Sequence, residues 1–359
     1  MSCSHSAIRD DPLTSHAPSE PTVFVDMPLD QLRVYRPGRA EPQQFDAFWA
    51  ATLAQAQDQA GPTTADLIET GQIHVDTYDV TFTGFAGQPV KAWLRVPKNA
   101  NAPLPAVVEY LGYGDGRGPG IEPSIWSSLG YVHVLMDSRG QSSRYGGADT
   151  FDGDIAPQVG GVMTRGIASP ETYYYRRLFT DPVRAVEITR ELEVVDADRV
   201  VVRGGSQGGG IALAVAGLSR DLAGAMIDVP FLCHYRRATQ ITDEYPYREL
   251  SDYLQWRRND TDQVFATLAH FDGVNFSPRA TAPALFSVGL MDPVCPPSTV
   301  FAAYNHWGGT DKDIRVWEYN AHDGGAVDQL RAQIPFLTRV TGAEDPEHNT
   351  VRADSRLAS

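Results

Sequence analysis

The feature that most constrains the fold is a glycine-rich turn at residues 204–208, which joins an apolar stretch to an alanine-rich one. The turn reads Gly-Gly-Ser-Gln-Gly and has Ser206 at its centre. The β-branched residues 200–202 before it favour a strand, and residues 211–218 after it favour a helix. A strand that turns sharply into a helix needs residues without Cβ atoms where the two backbones approach each other. The pattern is typical of a nucleophile elbow, a strained turn that exposes a serine hydroxyl.

Other uses of a glycine-rich turn fit the sequence less well. A dinucleotide-binding turn has the spacing G-x-G-x-x-G, and Ser206 or Gln207 stands where its second glycine belongs. A P-loop requires Lys followed by Ser or Thr after its last glycine, and Ile211-Ala212 are found there instead. A tightly packed turn without chemistry remains the alternative at this point.

The composition limits the classes of partner. The 359 residues carry a formal net charge of −15 at pH 7, and 42% of them are hydrophobic, which is enough for a large core. The acidity and the absence of Lys/Arg runs argue against nucleic acids and anionic membranes as partners. Cys3, Cys233 and Cys295 form neither a disulfide framework nor a CxxC site. Without a signal-peptide core or a run of about 18 apolar residues, we expect a cytoplasmic protein.

Hydrophobic periodicity predicts one α/β domain over residues 23–343, between disordered tails at 1–22 and 344–359. Period-two alternation over 75–96, interrupted at 84–87, predicts an antiparallel hairpin. Continuous apolar strands then alternate with helical or irregular segments, which predicts a mostly parallel sheet covered by helices on both faces. These strands are expected at 106–110, 132–136, 200–202, 225–229, 284–288 and 314–319.

Two segments extend this α/β architecture. Near the N-terminus, Phe45, Phe48 and Trp49 share one face of a predicted helix, which with the hairpin forms an N-terminal extension. Residues 231–275 form an insertion with helical spacing that is rich in Tyr, Arg, Asp and Trp. Because ligands of such sheets bind beyond the carboxyl ends of the strands, we expect this insertion to lie over the active site.

A serine nucleophile needs a histidine that takes its proton and a carboxylate that orients the histidine. The chain order expected with this elbow is serine, acid, histidine. His322 follows the last predicted strand, where a loop reaches the carboxyl edge of the sheet. Asp292 follows the strand at 284–288 and is the preferred acid. Asp323 and Asp328 are the alternatives, although a carboxylate next to the histidine points in a different direction along the chain.

Such a serine also needs backbone N–H donors for the negative charge that develops on the acyl oxygen. Gln207, the residue after the nucleophile, is expected to supply one of them. The second is expected from the glycine-containing loop at 110–116, at Tyr113 or else at Gly114. No HExxH motif is present, so we expect neither a metal nor another cofactor.

Longer segments of the chain are more specific than the turn alone. They are DMPLDQL (26–32), FDAFW (45–49), RGQ (139–141), TYYYR (172–176), GGSQGG (204–209) and PPSTVFAAYNH (296–306). With these segments the chain resembles, over about residues 24–340, the cephalosporin-C deacetylase and acetylxylan esterase family of carbohydrate esterases. That family belongs to the α/β-hydrolase superfamily, so the resemblance implies this fold.

The resemblance implies Ser206 as nucleophile, His322 as base and Asp292 as acid. It places the oxyanion donors at the backbone N–H groups of Tyr113 and Gln207. The implied reaction is the removal of acetyl groups from short acetylated xylo-oligosaccharides and cephalosporins. The implied assembly is a ring-shaped hexamer whose active sites face an inner cavity that excludes polymeric xylan.

The resemblance also places Tyr113, Pro230 and Phe231 at the substrate pocket. Phe231 stands where a tyrosine is expected, and Asp323 follows the catalytic histidine where the family has glutamate. The N-terminal tail is longer than is usual in the family. Arg139 and Gln141 are expected to brace loops, as arginines after buried strands commonly do.

Two other functions remain open from the sequence. The same triad also serves enzymes with another specificity, for a peptide, a lactone or a longer acyl ester. A catalytically silent hydrolase-like module that only binds a ligand is the second alternative. A panel of acyl esters separates the first from an acetylesterase, and a serine-reactive probe separates the second.

Overall fold

The computed structural model describes residues 25–98, 102–142 and 147–343. The tails predicted at 1–22 and 344–359 lie outside the described residues. The strands are β1 (Thr64–Ile68), β2 (Val75–Thr83), β3 (Pro89–Pro97), β4 (Leu104–Tyr110), β5 (Val132–Met136), β6 (Val195–Gly205), β7 (Gly224–Asp228), β8 (Ala284–Gly289) and β9 (Lys312–Trp317).

The helices lie between and around these strands. They are α1 (Leu29–Val34), α2 (Phe45–Asp58), α3 (Ile125–Ser128), α4 (Tyr174–Arg190), α5 (Gln207–Leu218), α6 (Tyr235–Ile241), α7 (Tyr247–Trp256), α8 (Thr261–Leu268), α9 (Gly273–Phe276), α10 (Pro297–His306) and α11 (Ala326–Thr341). Within the described ranges, none of these helices is both long and apolar enough to cross a membrane.

The strands form a single mixed sheet in the order β1-β2-β3-β5-β4-β6-β7-β8-β9. The pairs from β1 through β3 to β5 are antiparallel, and all pairs from β5 to β9 are parallel. This topology confirms the predicted α/β-hydrolase fold with a mostly parallel sheet. The edge strand β1 was not predicted, because its side chains are almost all exposed and show no apolar alternation.

The inner strands are apolar on both sides because helices cover both faces of the sheet. Val107 of β4 and Val201 of β6 pack in one cluster with Trp126 of α3. Their neighbours Val108 and Val202 point to the opposite face and belong to the larger core. Burying one such side chain contributes about 1.5–3 kcal/mol, so this layer fixes the register of the strands.

The insertion predicted at 231–275 contains helices α6 to α8 and most of α9. We call it the cap, because Tyr245, Pro246 and Glu249 of this segment line a cavity that reaches Ser206. The N-terminal helix α2 is attached to this cap. Trp49 of α2 donates a hydrogen bond from Nε1 to the carbonyl oxygen of His270, at 2.9 Å. Its ring also packs edge-on against Phe271 and Phe276. The N-terminal extension therefore holds the cap in place from its outer side.

The turn between β6 and α5 is the tightest backbone approach that bears on the site. A Cβ atom at Gly208 would lie 2.1 Å from the carbonyl oxygen of Tyr110, and one at Gly204 would lie 2.2 Å from the carbonyl group of Gly208. Real Cβ atoms do not approach backbone this closely, and backbone cannot move aside as a flexible side chain can. The glycines therefore allow α5 to begin against the end of β4.

We expect Gly208→Ala to lower the free energy of unfolding by about 1–3 kcal/mol, the usual cost of overpacking. The matched control is Gly38→Ala, because a Cβ atom there meets nothing within 4 Å. That control is expected to change the free energy of unfolding by no more than about 0.5 kcal/mol. Denaturant titration of both variants measures the difference. Equal stability of the two variants would contradict the close approach at the turn.

Candidate active site

Ser206 sits between β6 and α5 in a strained backbone conformation. Its φ of 57° and ψ of −120° are rare for a residue other than glycine. Such a conformation costs about 1–3 kcal/mol and persists only where neighbours hold it. Here the Ser206 N–H donates to the carbonyl of Asp228 and the Ser206 carbonyl accepts from the N–H of Phe231, both at 2.9 Å. These two bonds, together with the start of α5, fix the serine at the carboxyl edge of the sheet.

The structure brings Ser206, His322 and Asp292 into one hydrogen-bonded chain. His322 Nε2 lies 2.9 Å from Ser206 Oγ, and its Nδ1 lies 2.8 Å from Asp292 Oδ2. Asp292 is fully buried, and its Oδ1 accepts the backbone N–H groups of Val294 and Cys295. An ionised carboxylate only accepts hydrogen bonds, so the tautomer with its proton on Nδ1 satisfies both contacts. The free Nε2 lone pair then faces the serine hydroxyl.

The two alternative acids do not contact the histidine. Asp323 is engaged within its own loop, where it accepts the backbone N–H of Ala321 at 3.0 Å. Asp328 pairs with Arg331 on the surface of α11. Asp323, which stands where the family usually has glutamate, therefore stabilises the loop that carries His322. It does not orient the imidazole ring of His322.

The predicted oxyanion donors lie on two neighbouring loops. Gln207 is the first residue of α5, where a backbone N–H has no partner within the helix. Across the described ranges, neither this N–H nor that of Tyr113 donates a hydrogen bond to protein. The N–H of Gly114, the alternative donor, instead binds Gln141 Oε1 at 2.7 Å. The geometry therefore leaves the Tyr113 N–H available and engages the Gly114 N–H elsewhere.

Gln141 connects these two loops. In addition to accepting from Gly114, it donates from Nε2 to Gln207 Oε1 at 2.9 Å and to the Tyr174 hydroxyl at 2.9 Å. Gln207 Nε2 in turn donates to the carbonyl of Gly112 at 3.2 Å. Gln141 and Gln207 are both buried. A closed amide network therefore sets the spacing between the two predicted donors, a role the sequence did not reveal beyond the expected bracing.

Arg139, in the same RGQ segment, braces loops as expected and does not reach the serine. Its guanidinium pairs with Asp181 of α4, with Nη2 at 2.8 Å from Oδ1, and both side chains are fully buried. Asp181 also accepts the backbone N–H of Phe85, and the Arg139 carbonyl accepts the Tyr174 hydroxyl. The pair thereby joins the N-terminal hairpin to the core beneath the site.

Tyr113 is held through its side chain by the cap. Its hydroxyl donates to Glu249 Oε1 of α7 at 2.6 Å and accepts the N–H of Val162 at 3.0 Å. Glu249 also accepts the N–H groups of Gly161 and Met163. Burial and the adjacent Glu249 carboxylate raise the pKa of Tyr113 well above its usual range, so the phenol stays a neutral donor. Nothing in the local sequence distinguishes Glu249 from other helix glutamates.

A cavity of about 410 Å³ lies between the cap and the elbow and reaches Ser206 and His322; we call it the cap-side cavity. Tyr113, Tyr245 and Val294 line it, and the substrate contact expected for Tyr113 stays a prediction. Its remaining lining residues are Gly112, Gly114, Asp115, Val159, Gly160, Pro246 and Glu249.

Pro230 and Phe231 differ from the expected substrate contacts. Both are buried, and neither lines the cap-side cavity. The Phe231 ring packs edge-on against Tyr247 of α7, at 4.4 Å between centroids, and against Tyr113 at 6.3 Å. Phe231 is fully buried between these two rings, so it has no surface left to contact a substrate. It supports the Tyr113 ring instead.

One group of possible metal ligands occurs among the described residues. Ligand atoms of Asp292, Cys295 and His322 lie within 4.8 Å of one another. The first and last are already hydrogen-bonded to each other, and burial raises the pKa of the Cys295 thiol, which keeps it protonated and a poor ligand. The group is better explained by proton transfer than by metal binding.

Comparison with solved structures agrees with this architecture. An acetyl xylan esterase from Paenibacillus sp. R4 is 37% identical, with a TM-score of 0.80 over 87% of this chain and 99% of the other. Acetyl xylan esterase 1 from Thermoanaerobacterium sp. JW/SL YS485 is 31% identical, with a TM-score of 0.79 over 88% of this chain and 99% of the other.

Comparison of sequences extends the relationship. The acetyl esterase Axe7A of Xylanibacter ruminicola is 25% identical over 278 residues, which cover 75% of this chain and 61% of that relative. The chain thus matches less than two thirds of that protein's length. The family described as acetyl xylan esterase (AXE1) matches residues 22–340. The chain therefore belongs to the acetyl xylan esterase (AXE1) family of carboxylic ester hydrolases.

Proposed function

We propose that the protein is a serine esterase that removes acetyl groups from small acetylated substrates, among them short acetylated xylo-oligosaccharides and cephalosporin C. The observation that carries the proposal is the continuous hydrogen-bond chain from Ser206 through His322 to Asp292. Family membership supports an acetyl ester as the substrate class.

In the proposed mechanism, Ser206 Oγ attacks the acetyl carbonyl while its proton passes to His322 Nε2. The imidazolium is stabilised by Asp292 and then protonates the departing alcohol. Water next attacks the acetyl-serine ester and gives a proton to the same nitrogen. The bond between the acetyl carbon and Oγ breaks, the proton returns to Ser206, and acetate leaves. No cofactor enters the reaction.

The two predicted N–H donors, at Tyr113 and Gln207, would stabilise the oxyanion of both tetrahedral intermediates. Loss of one such donor typically costs about 2.7–4 kcal/mol of transition-state stabilisation. Preorganisation is essential to this effect, since donors that must reorient contribute less. The Gln141 network supports the assignment because it fixes both loops before substrate binds.

Small acyl groups and short leaving groups fit the enclosed geometry. The cap-side cavity measures about 410 Å³, and Tyr113, backed by Phe231, stands next to the serine. A ring-shaped hexamer, which we propose from the family resemblance, would add an outer barrier against polymeric xylan.

We expect Ser206→Ala to lower hydrolysis of p-nitrophenyl acetate by about 10⁴-fold or more, because the nucleophile is removed. The same change should abolish labelling by a fluorophosphonate probe. Ser219→Ala is the matched control, since Ser219 terminates the other end of α5. It should retain wild-type activity. Near wild-type hydrolysis by Ser206→Ala would refute the mechanism, and an unlabelled wild-type enzyme would revive the silent-module alternative.

Gln141→Leu is expected to lower kcat about tenfold to a hundredfold with little change in KM, because it frees both oxyanion loops without touching substrate. Gln141→Glu keeps an acceptor for the Gly114 N–H but loses the amide donors. Its kcat should lie between those of Gln141→Leu and the wild type. Steady-state kinetics on p-nitrophenyl acetate measures these values. A wild-type kcat in Gln141→Leu would show that the network does not position the donors.

We expect kcat/KM to fall from acetyl to butyryl p-nitrophenyl esters by at least about tenfold, since the proposed acetyl specificity requires an acyl pocket too small for two further methylenes. Acetylated xylobiose and cephalosporin C should both be deacetylated, and polymeric acetylxylan only slowly. Released acetate measures all three. A preference for butyryl or longer chains would overturn the acetylesterase assignment and favour the alternative specificities.

A further inference from the structure

Ser206 lies between two cavities. The cap-side cavity lies on one side of it. On the other side lies a cavity of about 370 Å³ between the elbow and α11, which we call the sheet-side cavity. Ser206 and His322 line both cavities, together with Gly112 and Asp115 of the oxyanion loop. The nucleophile and the base therefore border both cavities, and substrate binding under the cap needs only one of them.

The sheet-side cavity has a strongly polar wall. Glu109 pairs with Arg203 and accepts from His133 at 3.0 Å, and these contacts outweigh burial and lower its pKa below the usual range. Asp228 lies 3.6 Å from the same guanidinium and accepts from Gln329 Nε2 at 2.9 Å. Burial raises the pKa of Asp228, while Glu109 and Arg203 carry opposite charges. A wall of charged and polar groups attracts water and disfavours acyl chains and rings. The cap-side cavity, by contrast, presents Tyr113, Tyr245, Pro246 and Val294.

Two polar atoms beside this wall lack a partner. Within the described part of the chain, Asp115 Oδ1 and Arg203 Nε are buried and have no hydrogen-bond partner in the protein. Such atoms are uncommon, and a bound water would offset a cost of about 1–3 kcal/mol at each of them. Asp115 is the more informative of the two, because it stands on the wall that the two cavities share, next to Ser206.

We infer that the sheet-side cavity is the route by which the hydrolytic water reaches acetylated Ser206, while the alcohol product still occupies the cap-side cavity. The inference rests on the proposed function. Water arriving from this side forms the new bond to the acetyl carbon and gives one proton to His322 Nε2. The bond from Oγ to carbon breaks, and that proton restores the Ser206 hydroxyl. Hydrolysis is thereby favoured over acetyl transfer to alcohols, which must enter under the cap.

The sheet-side cavity has a rim on α11, formed by Ala326, which has a left-handed φ of 43°, and by Leu330, which also packs against the core. Ala326 is exposed, Leu330 is half-buried, and both line the sheet-side cavity and not the cap-side cavity. A large side chain at either position narrows the route without adding atoms under the cap. Val327, between them in sequence, is 58% exposed and lines neither cavity, so Val327→Trp is the matched control.

The experiment compares Ala326→Trp and Leu330→Trp with the control and the wild type. Each enzyme hydrolyses p-nitrophenyl acetate in the presence of benzyl alcohol, and the ratio of benzyl acetate to acetate is measured. This ratio reports how the acetyl-enzyme partitions between alcohol and water, whereas kcat/KM reports only the acylation that precedes it. Thermal melts of all four proteins verify folding, and two independent substitutions guard against the failure of one.

We expect both rim variants to raise the ratio about fivefold and to keep kcat/KM within about twofold of the wild type, while the control changes neither quantity. An unchanged ratio in both rim variants, or an equal rise in Val327→Trp, would overturn the inference. A kcat/KM of Ser206→Ala equal to that of the wild type would instead refute the proposed function, so the two failures are distinguishable.

Discussion

The close approach of three backbone segments at the elbow is the constraint on which the site depends. The end of β4, the turn after β6 and the start of α5 meet where a single Cβ atom at Gly208 would overlap the Tyr110 carbonyl. This contact places the loop after β4 beside the first turn of α5. The strained serine and both predicted oxyanion donors follow from it, since they lie on these same segments. Without the glycines, the loop after β4 and the start of α5 could not approach each other this closely.

A second layer of contacts turns this placement into a fixed geometry. Gln141 joins the two donor loops through buried amide bonds, and Glu249 holds the Tyr113 side chain from the cap. Because the cap is itself attached to the N-terminal helix through Trp49, segments distant in sequence support one small site. The half-buried charges of Glu109 and Arg203 line a second, polar cavity that also reaches the same serine.

Sequence reasoning succeeds where a function depends on local pattern. The parallel strands, the hairpin and the elbow are set by periodicity and by turn residues, and the order Ser206, Asp292, His322 follows from where the strands end. Contacts between distant parts of the chain could not be predicted from the sequence. The hydrogen bond between Tyr113 and Glu249 is one of them, because the two residues are 136 positions apart. The same limit explains Phe231, whose burial depends on a helix of the cap. Strand β1 was missed for another reason, since an exposed edge carries no apolar alternation.

In the proposed mechanism one covalent intermediate forms on one residue, Ser206, and this acetyl-enzyme can be measured directly. Enzyme mixed with p-nitrophenyl acetate and acid-quenched within the first turnovers can be digested and examined by mass spectrometry. We expect a single acetyl group on the peptide that contains Ser206, and we expect it to disappear on a longer incubation before quenching. An acetyl group on a different residue, or none under conditions where p-nitrophenol is released in a burst, would contradict the proposed mechanism.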